Sequence, residues 1–147
     1  MTSQGAKTID AADLIVGRLA SVVAKRLLGG ERIVIVNAGK AVFAGKRQSK
    51  LKEMYAFLEI VGRANPKYGP RHPRRPDNIL RRIVRGMLPM KKDKGRQAFR
   101  RLRVHNSVPH ELTGSKTETV EAASAGRLRC SYVSLERIVR DMGYRGK

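Results

Sequence analysis

Arg32-Ile33-Val34-Ile35-Val36-Asn37 is the stretch on which the fold turns. Four β-branched residues stand in a row with no polar alternation. A strand with one wet face alternates, so an unbroken Ile/Val run predicts a strand buried on both faces, as in a parallel sheet. Working outward, Leu14–Leu28 has helical rhythm, with Val16, Leu19, Ala20, Val23, Ala24 and Leu27 on one face. Asp13 is placed to cap this helix, Lys25 and Arg26 occupy its last turn, and Gly29-Gly30 stops it. Thr8–Ala11 reads as a short strand before it, and residues 1–7 as a frayed start. Strand, helix, buried strand is the sequence form of a right-handed parallel crossover, so the class is α/β.

Downstream, a turn at Gly39 leads into the short apolar run Ala41-Val42-Phe43, closed by Gly45-Lys46. Ser49–Val61 reads as a helix with Leu51, Met54, Leu58 and Val61 on one face. Gly62–Asp77 changes character: it holds four of the six prolines and five Lys or Arg. Proline restricts φ and lacks an N–H, so this is an extended basic loop. Asn78–Leu88 returns to helix, with Ile79, Leu80, Ile83, Val84 and Met87 facing a core and Arg81, Arg82 and Arg85 facing out. Pro89 ends it. Met90–Gly95 is a basic turn, Gln97–Arg101 a short helix and Leu102–His105 a strand. Thr113–Gly126 is rich in Ser, Thr, Ala and Gly and is expected to be loose. Val133–Met142 reads as the last helix, with Ser134 as N-cap, Val133 and Ile138 as a hydrophobic staple and Gly143 as stop.

At 147 residues the chain fits a single domain, since domains run about 100–200 residues. Its expected parts are residues 1–7, an α/β body over 8–62, a basic arm over 63–77, an anchoring helix, turn and return strand over 78–112, and a loose linker with a C-terminal helix over 113–147. Between Arg63 and Arg103 stand fifteen Lys or Arg against Asp77 and Asp93, which is +13 of a net charge of +20. Charge at this density repels itself unless phosphates neutralise it and release its counterions. Eleven of the fifteen are Arg, whose fork suits phosphates and base faces. The pI of 11.2 leaves nucleic acid or an anionic membrane surface as partner. No apolar run reaches the roughly 18 residues needed to span a bilayer. MTSQGAKTID carries no signal-peptide core, so neither membrane nor export is expected. A lone Cys130 fits a reducing cytoplasm.

Catalytic chemistry finds no constellation. Gly39…Gly45-Lys46 has five residues between its glycines, where a phosphate-binding loop has four, and Arg47 stands where a Mg²⁺-binding hydroxyl belongs. His105 and His110 are five apart, not the i, i+4 of two ligands on one helix face. His72 lies in the Pro/Arg loop, where it fits a base or a phosphate better than a metal. Cys130 beside Arg127 and Arg129 has no catalytic partner. No enzyme, cofactor, metal or small-molecule substrate is expected. No helix-turn-helix, zinc finger, basic zipper or RNP aromatic set is visible, and Gly143-Tyr144-Arg145-Gly146 stands too close to the chain end for a KH loop. A basic arm on a small α/β body suits folded RNA better than a uniform duplex.

Val84-Arg85-Gly86-Met87-Leu88-Pro89, followed by Gly95-Arg96, resembles the signature of the universal large-subunit ribosomal protein thirteen family. Gly17-Arg18-Leu19-Ala20-Ser21 and Val36-Asn37-Ala38 are similar to it too. The arm, Asn65-Pro66-Lys67-Tyr68-Gly69-Pro70-Arg71 and then His72-Pro73-Arg74-Arg75-Pro76-Asp77, resembles the archaeal and eukaryotic branch. The likeness runs from about Ile9 to Leu112, with departures at Gly39, where the family has an acid, and at Ala44, where it has Ser or Thr. It implies a three-layer α/β fold around a four-stranded, mainly parallel sheet. It also implies a structural role in the large ribosomal subunit, in the cytoplasm, with large-subunit ribosomal RNA and neighbouring ribosomal proteins as partners.

The expected RNA contacts are Arg63, Lys67, Arg71, His72, Arg74 and Arg75 in the arm and Arg81, Arg82 and Arg85 on the helix. Lys91, Lys92, Lys94, Arg96, Arg100 and Arg101 complete the set in and after the turn. Competing readings are an RNA-modifying or nucleotide-using enzyme with a basic groove, and a DNA-coating protein.

Overall fold

The computed structural model describes residues 5–146. Four parallel strands form the sheet, in the order β4-β2-β1-β5: β1 is Ala6–Asp10, β2 Arg32–Val36, β4 Leu102–Val104 and β5 Thr117–Glu118. Among the described residues five α-helices accompany it: α1 (Val16–Leu28), α2 (Arg47–Leu58), α3 (Pro76–Gly86), α4 (Asp93–Arg100) and α5 (Leu135–Asp141). A separate antiparallel pair joins β3 (Val42–Ala44) to β6 (Tyr132–Ser134). The expected α/β class and parallel sheet are both present.

The sheet follows from its composition. β2 is buried from Ile33 to Val36, as an unbroken Ile/Val run requires. It pairs with β1 on one side and β4 on the other, so both its ladders are satisfied. Ile9, Ile33, Ile35 and Leu102 join Val16, Leu19, Val23 and Leu27 of α1 and Leu80 and Val84 of α3 in the main core. Each large aliphatic side chain taken fully from water there contributes roughly 1.5–3 kcal/mol. Asn37 follows β2 in the left-handed region, at φ 58°, a conformation that Asn tolerates. Its Nδ2 donates to Asp10 Oδ1 at 3.0 Å, which ties the ends of β1 and β2 together.

Several expectations are corrected. Ala6 and Lys7 belong to β1, and residues 1–4 of the expected frayed start lie outside the described residues. Asp13 does not cap α1. It sits at φ 55°, its N–H donates to the Lys40 carbonyl, and Ile15 holds the N-cap position without a side-chain bond. Val133 and Ser134 are strand, so the last helix starts at Leu135. Ser134 holds the N-cap position as expected, but without a side-chain hydrogen bond, and the entry is tied by the Leu135 N–H to the Ala41 carbonyl. Val133 and Ile138 do share one cluster, and Gly143 stops the helix at φ 86°. Helix α2 ends at Leu58, which leaves Val61 beyond it and 61% exposed. Helix α3 starts at Pro76, a residue suited to a first turn, and ends at Gly86. Met87 therefore falls outside it at 44% exposure, and Leu88 takes the core position. Helix α4 absorbs Asp93–Gly95 of the expected basic turn.

The largest correction concerns residues 113–126. The second half of this stretch is tied to the body, while residues 113–116 stay exposed. Thr117 and Glu118 pair with Thr8 and Ile9, and Val120 and Ala123 enter the main core. The Ile15 N–H donates to the Ala123 carbonyl at 2.7 Å, and the Ala125 N–H to Asp13 at 2.9 Å. Small residues suit such close backbone approach, and their composition imitates a loose linker.

Arg26 of α1 fastens β5. Its guanidinium donates two hydrogen bonds to Glu118, at 2.9 and 3.1 Å, and one to Glu31 at 2.9 Å. The Arg26 hydrogen bonds hold the Glu118 carboxyl below the usual range. The folded state thus binds fewer protons at this site than the unfolded chain. The stabilisation is complete above the ordinary glutamate pKa of about 4.3 and is lost as pH falls through the lower, folded value. The melting temperature should decline on acidification below that range. Arg26→Ala should start from a lower melting temperature and decline less steeply, as read by thermal unfolding at a series of pH values.

Candidate nucleic-acid interface

The basic arm is a braced loop. Gly62 and Gly69 meet backbone to backbone at its base: a Cβ on Gly62 would stand 3.1 Å from Gly69 Cα. A side chain at either position would press on backbone atoms 3.1–3.3 Å away, so glycine lets the two strands of the loop approach most closely. His72 Nε2 donates to the Ile60 carbonyl at 2.7 Å, and its ring meets Phe57 edge-on at 4.5 Å between centroids. Arg82 donates to the Arg71 carbonyl and lies over the Phe57 ring at 5.1 Å. Arg81 lies over Phe99 at 4.7 Å, which joins α3 to α4. Cation–π contacts of this kind contribute about 0.5–2 kcal/mol. The α2 helix that carries Phe57 is itself fastened to α5, since Arg47 grips Asp141 through two 2.7 Å hydrogen bonds.

The fifteen expected contact residues therefore fall into three sorts. His72, Arg81, Arg82 and Arg101 have internal partners, Arg101 through the Leu27 carbonyl at 3.3 Å. Arg75 pairs with Asp77 at 3.1 Å and Arg96 with Asp93 at 2.7 Å, both at the surface, where such pairs contribute about 0–1 kcal/mol and open readily. Arg63, Lys67, Arg71, Arg74, Arg85, Lys91, Lys92, Lys94 and Arg100 are exposed and have no acidic partner among the described residues.

Two clefts gather these cations. Arg82, Arg85, Lys91 and Lys92 line a groove of about 570 Å³ at the end of α3, floored by Gly86, Leu88, Pro89 and Met90. Its geometry depends on Gly95. A Cβ there would lie 2.2 Å from the Pro89 carbonyl oxygen, so α4 can begin against Pro89 only with glycine at this position. Arg32, Arg100, Arg101 and Arg103 line a second cleft of about 440 Å³ with Gln97, Ala6 and Val34. No acidic residue lines either cleft.

Arg32 and Arg103 were absent from the expected set. Along β4, Leu102 is buried in the core and Arg103 is exposed, so the alternation was visible in sequence. The register was not: Val34 pairs with Arg103, which brings β2 and its Arg32 beside β4 on the face turned away from Ile33 and Ile35. The departure at Gly39 also has a local cause. A Cβ there would meet Asn106 Oδ1 at 2.9 Å and Glu136 Cβ at 3.5 Å, so a side chain at this position would have to displace the Asn106 amide. Among the described residues no group of three or more His, Cys, Asp or Glu could hold a metal, and no helix is long and apolar enough to cross a membrane.

A parallel α/β body with an outward-facing cationic surface, whose two clefts carry no acidic residue, defines a class, the small basic proteins whose charge is matched to a polyanion. Comparison with known proteins narrows the class to one family. The family model described as "Ribosomal protein L13" matches residues 6–111. The large ribosomal subunit protein uL13 of Methanosarcina barkeri is 48% identical over 137 residues, covering 92% of this chain and 96% of the relative. Those of Archaeoglobus fulgidus and Methanopyrus kandleri are 46% and 45% identical, covering 94% and 92% of this chain and 88% and 86% of the relatives. This chain belongs to the ribosomal protein L13 family.

Proposed function

We propose that the protein is a structural constituent of the large ribosomal subunit that binds folded large-subunit ribosomal RNA, works in the cytoplasm as part of the ribosome and has no catalytic activity. The observation that carries this reading is the row of exposed cations without acidic partners, held on a braced arm and around two acid-free clefts. Its mechanism is charge neutralisation on a pre-shaped surface. Arg63, Lys67, Arg71 and Arg74 meet phosphates from the arm. Arg85, Lys91, Lys92 and Lys94 meet them around the groove at the end of α3, and Arg75 and Arg96 can leave their surface carboxylates to join. His72, Arg81 and Arg82 set the shape of the arm and helix on which the others stand. Arg100 and Arg101, with Arg32 and Arg103, serve the second cleft. Neighbouring ribosomal proteins are the remaining partners, and the mixed-charge surface around Arg47, Glu136, Arg137 and Arg140 suits them better than RNA.

Two measurements test the reading. The chain should sediment with the large-subunit peak of a cell extract. The purified protein should prefer folded large-subunit ribosomal RNA to duplex DNA of equal phosphate content at matched salt. Equal affinity for both would favour non-specific coating. Arg32→Ala with Arg103→Ala, both at exposed sites, should leave the melting temperature within a few degrees and lower the salt slope of RNA binding by about one to two units.

A further inference from the structure

We infer that Tyr68 is a stacking platform for an unpaired RNA base, so that the arm selects a single-stranded position in addition to neutralising phosphates. This deepens the RNA-binding reading and rests on it. Tyr68 is 82% exposed, the highest value among the described large hydrophobic residues, and Ile60 and Val61, at 57% and 61%, lie where the chain enters the loop. An aromatic ring so far from any core contributes nothing to folding. Its hydroxyl makes no hydrogen bond among the described residues.

The ring is nevertheless carried on a defined turn. Asn65 Oδ1 accepts from the Lys67 N–H at 3.1 Å, the Tyr68 N–H donates to the Asn65 carbonyl at 3.2 Å, and the Gly69 N–H to Pro66 at 3.1 Å. The Gly62–Gly69 contact closes the loop behind it. The backbone beneath the ring is thus preorganised, and only the rotamer freedom of the Tyr68 side chain is left to be lost when a flat ligand settles on it.

Charge chooses the ligand. From Ile60 to Pro76 the chain has no acid, and Arg63, Lys67 and Arg71 flank the turn. A protein partner would have to bring carboxylates to this rim. A nucleotide brings both a π-face for Tyr68 and a phosphate for the neighbouring cations. In a paired helix the base faces are covered by stacking, so an accessible base has to be unpaired.

The chain has no tryptophan, so Tyr68→Trp places a single fluorescent reporter at the site. Three RNA probes of equal phosphate count are compared: a single-stranded oligonucleotide, the same strand with abasic riboses, and a blunt duplex. The first should quench the Trp, and the other two should bind without quenching. Tyr68→Ala should weaken binding of the single strand by between about fivefold and a hundredfold with an unchanged salt slope, and Tyr68→Phe should retain it. Equal quenching by the duplex or the abasic strand overturns the inference, as does wild-type affinity in Tyr68→Ala. So does a Trp signal that responds only to vesicles of phosphatidylglycerol. In the first two cases the RNA-binding reading survives. If the wild-type chain ignores all three probes and folded large-subunit ribosomal RNA as well in dilute buffer, both fall.

Discussion

Replacing Arg63, Lys67, Arg71 and Arg74 together by Gln should lower the salt dependence of RNA binding by about three to four units in the slope of log affinity against log salt. Each of the four is exposed, and none has an acidic partner among the described residues, so no internal ion pair has to break before it meets a phosphate. Between 50 and 200 mM salt, four lost contacts remove roughly a hundredfold of salt sensitivity, the largest change expected from any set of surface substitutions here. Stability should move little, because the loop is held by the Gly62–Gly69 contact, His72 and Arg82, none of which is altered. Filter binding over a salt series, with melting temperature as a control, reads both. A slope unchanged within half a unit would rule out the arm as a phosphate contact. The parallel substitution His72→Gln should act in the opposite sense, lowering the order of the loop with little change in net charge.

The second large effect is on folding. Gly95→Ala should destabilise the protein by about 3 kcal/mol, the upper end of the usual overpacking cost, because the new methyl meets backbone atoms. The Pro89 carbonyl oxygen and carbon would lie 2.2 and 2.5 Å away, and the Met90 nitrogen 3.1 Å away. A flexible side chain could swing aside; a carbonyl in a turn bonded to the Lys92 N–H cannot do so without moving α4. Gly86 supplies the contrast. It belongs to the same signature and lies nine residues earlier, but a Cβ there meets nothing within 4 Å. Gly86→Ala should therefore leave stability unchanged or raise it by up to about 1 kcal/mol, the helix-propensity difference. Chemical denaturation of the two variants separates these outcomes. Comparable losses in both would show that the contact at Pro89 is not what requires glycine.

The two glycines show where sequence reading reaches its end. The motif Val84-Arg85-Gly86-Met87-Leu88-Pro89 with Gly95-Arg96 was legible as a string and identified the family, yet nothing in the string tells which glycine is packed and which is open. Helix periodicity placed α1 and α3 to within two residues, because burial of one face imposes a 3.6-residue rhythm; α2, which buries no residue fully, was placed to within three. It placed Met87 and Val61 wrongly, since the rhythm continues past the point where the backbone leaves the helix. Residues 113–126 carry no rhythm. Their order comes from pairing with Thr8 and Ile9, more than a hundred residues away, and from the Arg26–Glu118 hydrogen bonds.

Local sequence determined the buried parallel strand, the helix faces, the density of positive charge and the kind of partner that such charge requires. These depend on side-chain type and short-range spacing, which are properties of the chain before it folds. Tertiary structure decided which cations stay free and which are used to hold the arm, and it brought Arg32 beside Arg103. It also turned a Ser/Ala/Gly-rich segment into an edge strand. Each of those outcomes is set by contacts between residues distant in the chain, and only closure of the fold creates them.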